Sequence, residues 1–124
     1  MGPLTQENCE MRHYYRIEVS SFVGAQSQDE PTITCESLNT ALDKLTEIAN
    51  EYRERLDNPM MRNVGGRCEL FLQRTESITG LFGNEIIRTV RIDRPLHSPS
   101  ARVVVWDEDG TIVSDSWKVD GNGD

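Results

Sequence analysis

Four arginines in the second half of the chain, Arg88, Arg91, Arg94 and Arg102, have the type and spacing of a recognition element. A guanidinium is a planar fork of donors that can grip a carboxylate or a phosphate through two parallel bonds and can lie flat on an aromatic ring. Arg88 and Arg91 stand three apart, so in an extended strand they face opposite ways; Arg91 and Arg94 would converge only where the strand gives out. With Phe82 and Trp106 nearby, such a ridge suits an acidic protein surface, or RNA held by stacking and phosphate contacts. The plainer expectation is that these arginines neutralise the chain's own acidic helix and the Asp107-Glu108-Asp109 turn.

Catalytic and cofactor chemistry has less to work with. Neither G-x-x-x-x-G-K-[ST] nor G-x-G-x-x-G occurs, and Gly65-Gly66-Arg67 and Gly80-x-x-Gly83 read as turn glycines. Cys9-x-x-x-His13 could open a zinc site with Cys35 and Cys68, but the two later cysteines fall at core positions of strands, so neither metal nor cofactor is expected. A nucleophile needs a neighbouring base that a third group orients. His97 has serines beside it in Pro95-Leu96-His97-Ser98-Pro99, a loop that leaves a histidine solvated, and no G-x-S-x-G elbow is present. Asp107 and Asp109 belong to a turn for conformational reasons. The chain is therefore expected not to be an enzyme.

Its charge excludes further classes. A net charge of −8 on 124 residues argues against general binding to phosphate backbones or anionic membranes. The imbalance is local: residues 60–102 hold seven basic and four acidic groups, and 103–124 hold one and six. Three widely spaced cysteines make no disulfide framework, and no apolar run reaches the length of a signal peptide or a membrane span. These features lead to the expectation of a cytoplasmic protein with reduced thiols.

The elements that must position these residues are one helix and a set of strands. Ser37 to Asp57 carries Leu38, Ala41, Leu42, Leu45, Ile48, Ala49, Tyr52 and Leu56 at spacings of three and four, which is one apolar stripe. Ser37 is placed to cap the helix, and Asn58-Pro59 to stop it. Alternation predicts strands over 13–23, 67–75, 85–93, 102–107 and 111–119, with a short one at 32–35. Residues 24–31 read as turn, and Asp109-Gly110 as a tight hairpin turn needing positive φ. Residues 1–10 are expected to be a loose arm, 11–119 a single domain and 120–124 a disordered tail. The expected fold is α+β in the order β-β-α-β-β-β-β: a mostly antiparallel sheet of five to six strands with one long helix on one face.

In such a two-layer fold the far face of the sheet should be polar, yet alternation sends Phe22, Phe71, Val104 and Trp106 there, with Ile87 and Ile112 unassigned. Large apolar groups in that position mark a partner surface. The expected function is a non-catalytic acidic module that binds another protein, in the manner of a small inhibitor, an immunity protein or a counter-defence protein of a phage or mobile element. Its docking residues would be Phe71, Phe82, Trp106, Arg88, Arg91, Arg94 and Arg102. An acidic surface of Asp43, Glu47, Glu51, Glu54, Asp107, Glu108 and Asp109 could imitate nucleic-acid charge in a partner's basic groove. The alternatives are RNA binding through Arg88 to Arg102 and a homo-oligomer that buries the outer face against its own copy.

Overall fold

The computed structural model describes residues 13–23, 26–29, 31–76 and 83–117. The expected arm, the expected tail and Phe82 lie outside the described residues. Among the described residues seven strands form one antiparallel sheet: β1 (Tyr14–Val23), β2 (Gln26–Asp29), β3 (Ile33–Cys35), β4 (Gly66–Thr75), β5 (Glu85–Arg94), β6 (Arg102–Asp107) and β7 (Ile112–Asp115). Their spatial order is β2-β1-β4-β5-β6-β7, and β3 pairs with β1 along the same edge as β2. Among the described residues a single α-helix, α1 (Leu38–Asp57), crosses one face. The fold is the α+β arrangement read from the sequence, with one strand more before the helix.

That extra strand is β2, in the stretch read as turn. It pairs Gln26–Asp29 with Ser20–Val23. Its sequence, QSQD, has no apolar alternation to announce it, because an edge strand can form by pairing alone when neither face is buried.

α1 begins as its sequence dictates. The Ser37 side chain accepts a hydrogen bond from Thr40 N at 3.1 Å, satisfying one of the first-turn donors. The helix ends at Asn58, whose ψ of 133° is the extended value that a following proline imposes. Asn58 Oδ1 then accepts from Met60 N at 3.0 Å and opens a 3-10 turn over Pro59–Asn63. Ala41, Leu45, Ile48, Tyr52 and Leu56 form the buried stripe. They pack on Ile17 and Val19 of β1, Cys68, Leu70 and Leu72 of β4, and Val90 and Ile92 of β5.

The helix C-terminus is fixed in three ways. Gly66 admits Leu56 so closely that a Cβ there would come within 2.7 Å of Leu56 Cδ2 and 3.0 Å of the Phe22 carbonyl oxygen. Arg94, only 2% exposed, donates from Nη1 to the Leu56 carbonyl and, at 3.3 Å, to that of Asn58, while its Nε donates to Ser98 O at 3.0 Å. A cation at this end meets the carbonyls that have no helical donor and the negative pole of the helix dipole. Asp57 adds a third tie, accepting from Ala101 N at 2.8 Å just ahead of β6.

Width limits what α1 can cover. Six strands abreast span about 24 Å at roughly 4.8 Å each, against about 10 Å for a helix. Its packing runs to β3, β1, β4 and β5. The helix-side faces of β6 and β7 are therefore only partly covered.

Candidate partner-binding surfaces

The strand register fixes which side chains share the face away from α1. Glu18, Phe71, Thr89, Trp106 and Ile112 lie in one row across β1, β4, β5, β6 and β7. The next row runs Ser20, Glu69, Arg91, Val104 and Asp115, and the one beyond it Phe22, Arg67, Asp93 and Arg102. Phe71 and Trp106 are half-buried and stand outside the core cluster, and Val104, though 6% exposed, stands outside it as well. Ile112 and Phe22 are 51% and 38% exposed. The two unassigned isoleucines separate: Ile112 lies opposite Trp106 on the outer face, whereas Ile87 packs against the core. A register shift between Leu72 and Gln73 interrupts the simple alternation there.

Charges fill the spaces between these apolar groups in matched pairs. Arg91 donates from Nε to Glu69 Oε2 at 3.1 Å, and its guanidinium lies 5.6 Å from the centre of the Trp106 ring. Arg102 grips Asp115 with two donors, the Nε bond being 3.0 Å, and stacks 5.7 Å from the Trp117 ring. Trp117 Nε1 donates in turn to Ala101 O at 3.0 Å. Arg67 and Asp93 are 3.9 Å apart. The bond to Asp115 raises the Arg102 pKa above its ordinary value, and Glu85 does the same for Arg74.

The four arginines singled out by spacing thus have separate environments. Arg91 and Arg102 lie on the outer face, each with a carboxylate. Arg94 turns to the helix side, where it is buried against carbonyls, so it does not converge with Arg91; three residues apart on a continuous strand means opposite faces. Arg88 also faces the helix side, opposite Asp107 on β6. The carboxylates that neutralise Arg74, Arg91 and Arg102 come from adjacent strands (Glu85, Glu69 and Asp115), not from the helix or the 107–109 turn.

The acidic residues form two groups. Asp43, Glu47, Glu51 and Glu54 are exposed, and at about 100° per residue they lie on the side of α1 opposite its buried stripe. Lys44 pairs with Glu47 at 3.4 Å, while Asp43, Glu51 and Glu54 have no ion pair among the described residues. In the β6–β7 turn Asp107 Oδ1 accepts from Asp109 N (2.9 Å) and Thr111 N (3.0 Å), and Gly110 takes φ 83°. The Asp107 carboxylate builds the turn, and Glu108 and Asp109 project into solvent.

The groups considered for catalysis are not assembled. Ser98 Oγ donates to Ser100 O at 2.9 Å rather than to exposed His97. Cys9 lies outside the described residues, Cys68 is buried in the core, and no cluster of three metal-ligating side chains occurs among the described residues. No helix among them is long and apolar enough to cross a membrane.

Sequence reasoning missed a groove on the helix side, between α1 and the β6–β7 hairpin, that includes Arg88. Its only advance signal was the disparity between one helix and six strands. The chain matches no known family model, no characterised protein and no solved structure.

Proposed function

We propose that this chain is a non-catalytic, acidic protein-binding module that docks on another protein through the sheet face opposite α1. The surface centres on Phe71, Trp106 and Ile112, with Arg91 and Arg102 holding its charged margin. What supports this reading is one observation: the row Phe71–Thr89–Trp106–Ile112 sets two aromatic rings and an isoleucine, with one threonine between the rings, across four strands of the face that the helix leaves bare. An aromatic centre with arginines around it is the composition of binding hot spots. The matched ion pairs hold the arginines in place before any partner arrives, which lowers the ordering cost of association. Inhibitors, immunity proteins and counter-defence proteins of phages or mobile elements act in this way, and a cytoplasmic setting with reduced thiols suits one. The exposed stripe Asp43, Glu47, Glu51 and Glu54 adds a specific option, the occupation of a basic groove that otherwise holds nucleic acid.

The test is a paired capture from lysate of the source organism, with wild type and Trp106→Ala as baits of equal thermal stability. The reading expects a defined protein retained by wild type and lost by Trp106→Ala. Identical capture by both baits would sink it. RNA binding is disfavoured because Arg91 and Arg102 are already paired and Arg94 is buried; RNA oligonucleotides at low salt should give no saturable signal. A self-associating outer face would instead appear in light scattering as a dimer that Trp106→Ala dissociates.

A further inference from the structure

The groove on the helix side has an unusual composition. Leu42 and Ala49 of α1 form one wall; Val103 and Val105 of β6 and Val113 of β7 form the floor and the other wall. Val113 is 53% exposed, so the groove opens to solvent at the β7 edge. The one charged side chain lining it is Arg88. Unlike Arg74, Arg91, Arg94 and Arg102, Arg88 makes no hydrogen bond or ion pair among the described residues, and its Nε is shut off from water with no acceptor. Asp107, directly across the β5–β6 ladder, does not neutralise it, because that carboxylate is turned into its own hairpin.

An apolar trough with one unanswered cation at its end is complementary to an apolar chain that ends in one anion. We infer that this groove is a binding site for an amphipathic monocarboxylate, with the hydrocarbon lying along Val103, Val105 and Val113 and the carboxylate against Arg88. The length is suitable: from the level of Arg88 to that of Ile92, which pairs with Val103, is four residues, or about 13 Å at the rise of a strand. A turn of the terminal torsions of Arg88 would let Nε and one Nη donate side-on to both carboxylate oxygens, answering the orphan donor. A phosphate dianion fits less well, since one guanidinium cannot neutralise it and the chain around it carries net charge −8. The site lies on the opposite face from the proposed protein-docking surface and does not depend on it.

Dodecanoate, kept below its micellar concentration, is the probe, followed by calorimetry and by backbone amide shifts of the whole chain. Binding of one molecule is expected, with shifts at Leu42 to Asn50, Val103, Val105 and Val113, and methyl dodecanoate should bind roughly tenfold more weakly, as for a lost charge-assisted pair. Arg88→Met should erase the preference for acid over ester while retaining ester binding. Should Arg88→Met fail to fold, Val113→Glu at the solvent-exposed rim should weaken the acid and leave the ester less affected. No binding of dodecanoate, equal affinity for acid and ester, or shifts centred on Trp106 would each overturn the inference.

Discussion

Leu70 and Phe71 are neighbours on β4 and project to opposite faces of one sheet, and they have different fates. Leu70 is 0% exposed beneath α1, whereas Phe71, the larger side chain, is half-buried with only the sheet and its own row around it. Beneath α1 the helix side is an aliphatic layer, and the cation buried at its end, Arg94, answers backbone carbonyls; only beyond β5 does that side open into the groove beside β6 and β7. The far side is a mosaic of aromatic rings and pre-formed ion pairs in contact with water. The same backbone therefore carries one face that α1 covers and another that α1 leaves bare. A surface of the second kind is available for association.

The comparison is most exposed to a pair of substitutions one residue apart. Leu70→Ala leaves a void under the helix and should cost about 3 kcal/mol, within the range for buried leucines. Phe71→Ala should cost less, about 2 kcal/mol, because a ring still partly in contact with water loses less burial and leaves no enclosed cavity. Chemical denaturation of both variants decides the matter. Equal losses would mean that the outer face is a second core, and the docking proposal would then lack a surface.

Two arginines sharpen the contrast with charge in place of volume. Arg94→Met removes the donors of the last helical carbonyls from a nearly sealed site and should cost about 2 kcal/mol. Arg102→Met breaks an ion pair whose arginine is exposed but whose carboxylate is only 5% exposed; Asp115 keeps the Trp117 backbone N–H, so the loss should be about 1 kcal/mol, smaller than for Arg94→Met. The pH dependence has a definite sign. A pKa raised in the folded state gives stability that is complete below the unfolded value and lost only as pH rises through the folded one. For Arg102 both lie in strong alkali, so its guanidinium should add no slope to a stability profile near neutrality. A loss of stability on mild alkalinisation that disappears in Arg102→Met would contradict the assignment.

How far the sequence carried this picture depends on which signals are local. The limits of α1 were legible from Ser37 and Asn58-Pro59, since capping and the residue before proline act within a few positions. Outward placement of Phe71, Val104 and Trp106 followed from period-two alternation, which survives wherever no bulge intervenes. Ile87 could not be placed because a register shift lies beside it, and β2 was hidden because polar edge strands need no pattern. The partners of the arginines were out of reach for a different reason: Glu69, Glu85 and Asp115 are recruited by strand order, which no single strand encodes. Arg94 looked like part of a surface because its capping role depends on a helix end 36 to 38 residues earlier in the chain.

The smallest predicted effect asks the most of the comparison. If the outer face is solvated, the Arg91–Glu69 pair should behave as an exposed bridge despite its 3.1 Å bond and the Trp106 ring above it. A double-mutant cycle of Arg91→Gln and Glu69→Gln should then give a coupling of about 0.5 kcal/mol. Salt should reduce it further, since the Debye length falls to about 3 Å at 1 M. A coupling of several times that size, insensitive to salt, would place the pair in a desolvated setting. Something, a second copy of the chain included, would then already cover that face in solution. Measuring the cycle at two protein concentrations tells the cases apart, because only coverage by a second copy makes the coupling depend on concentration.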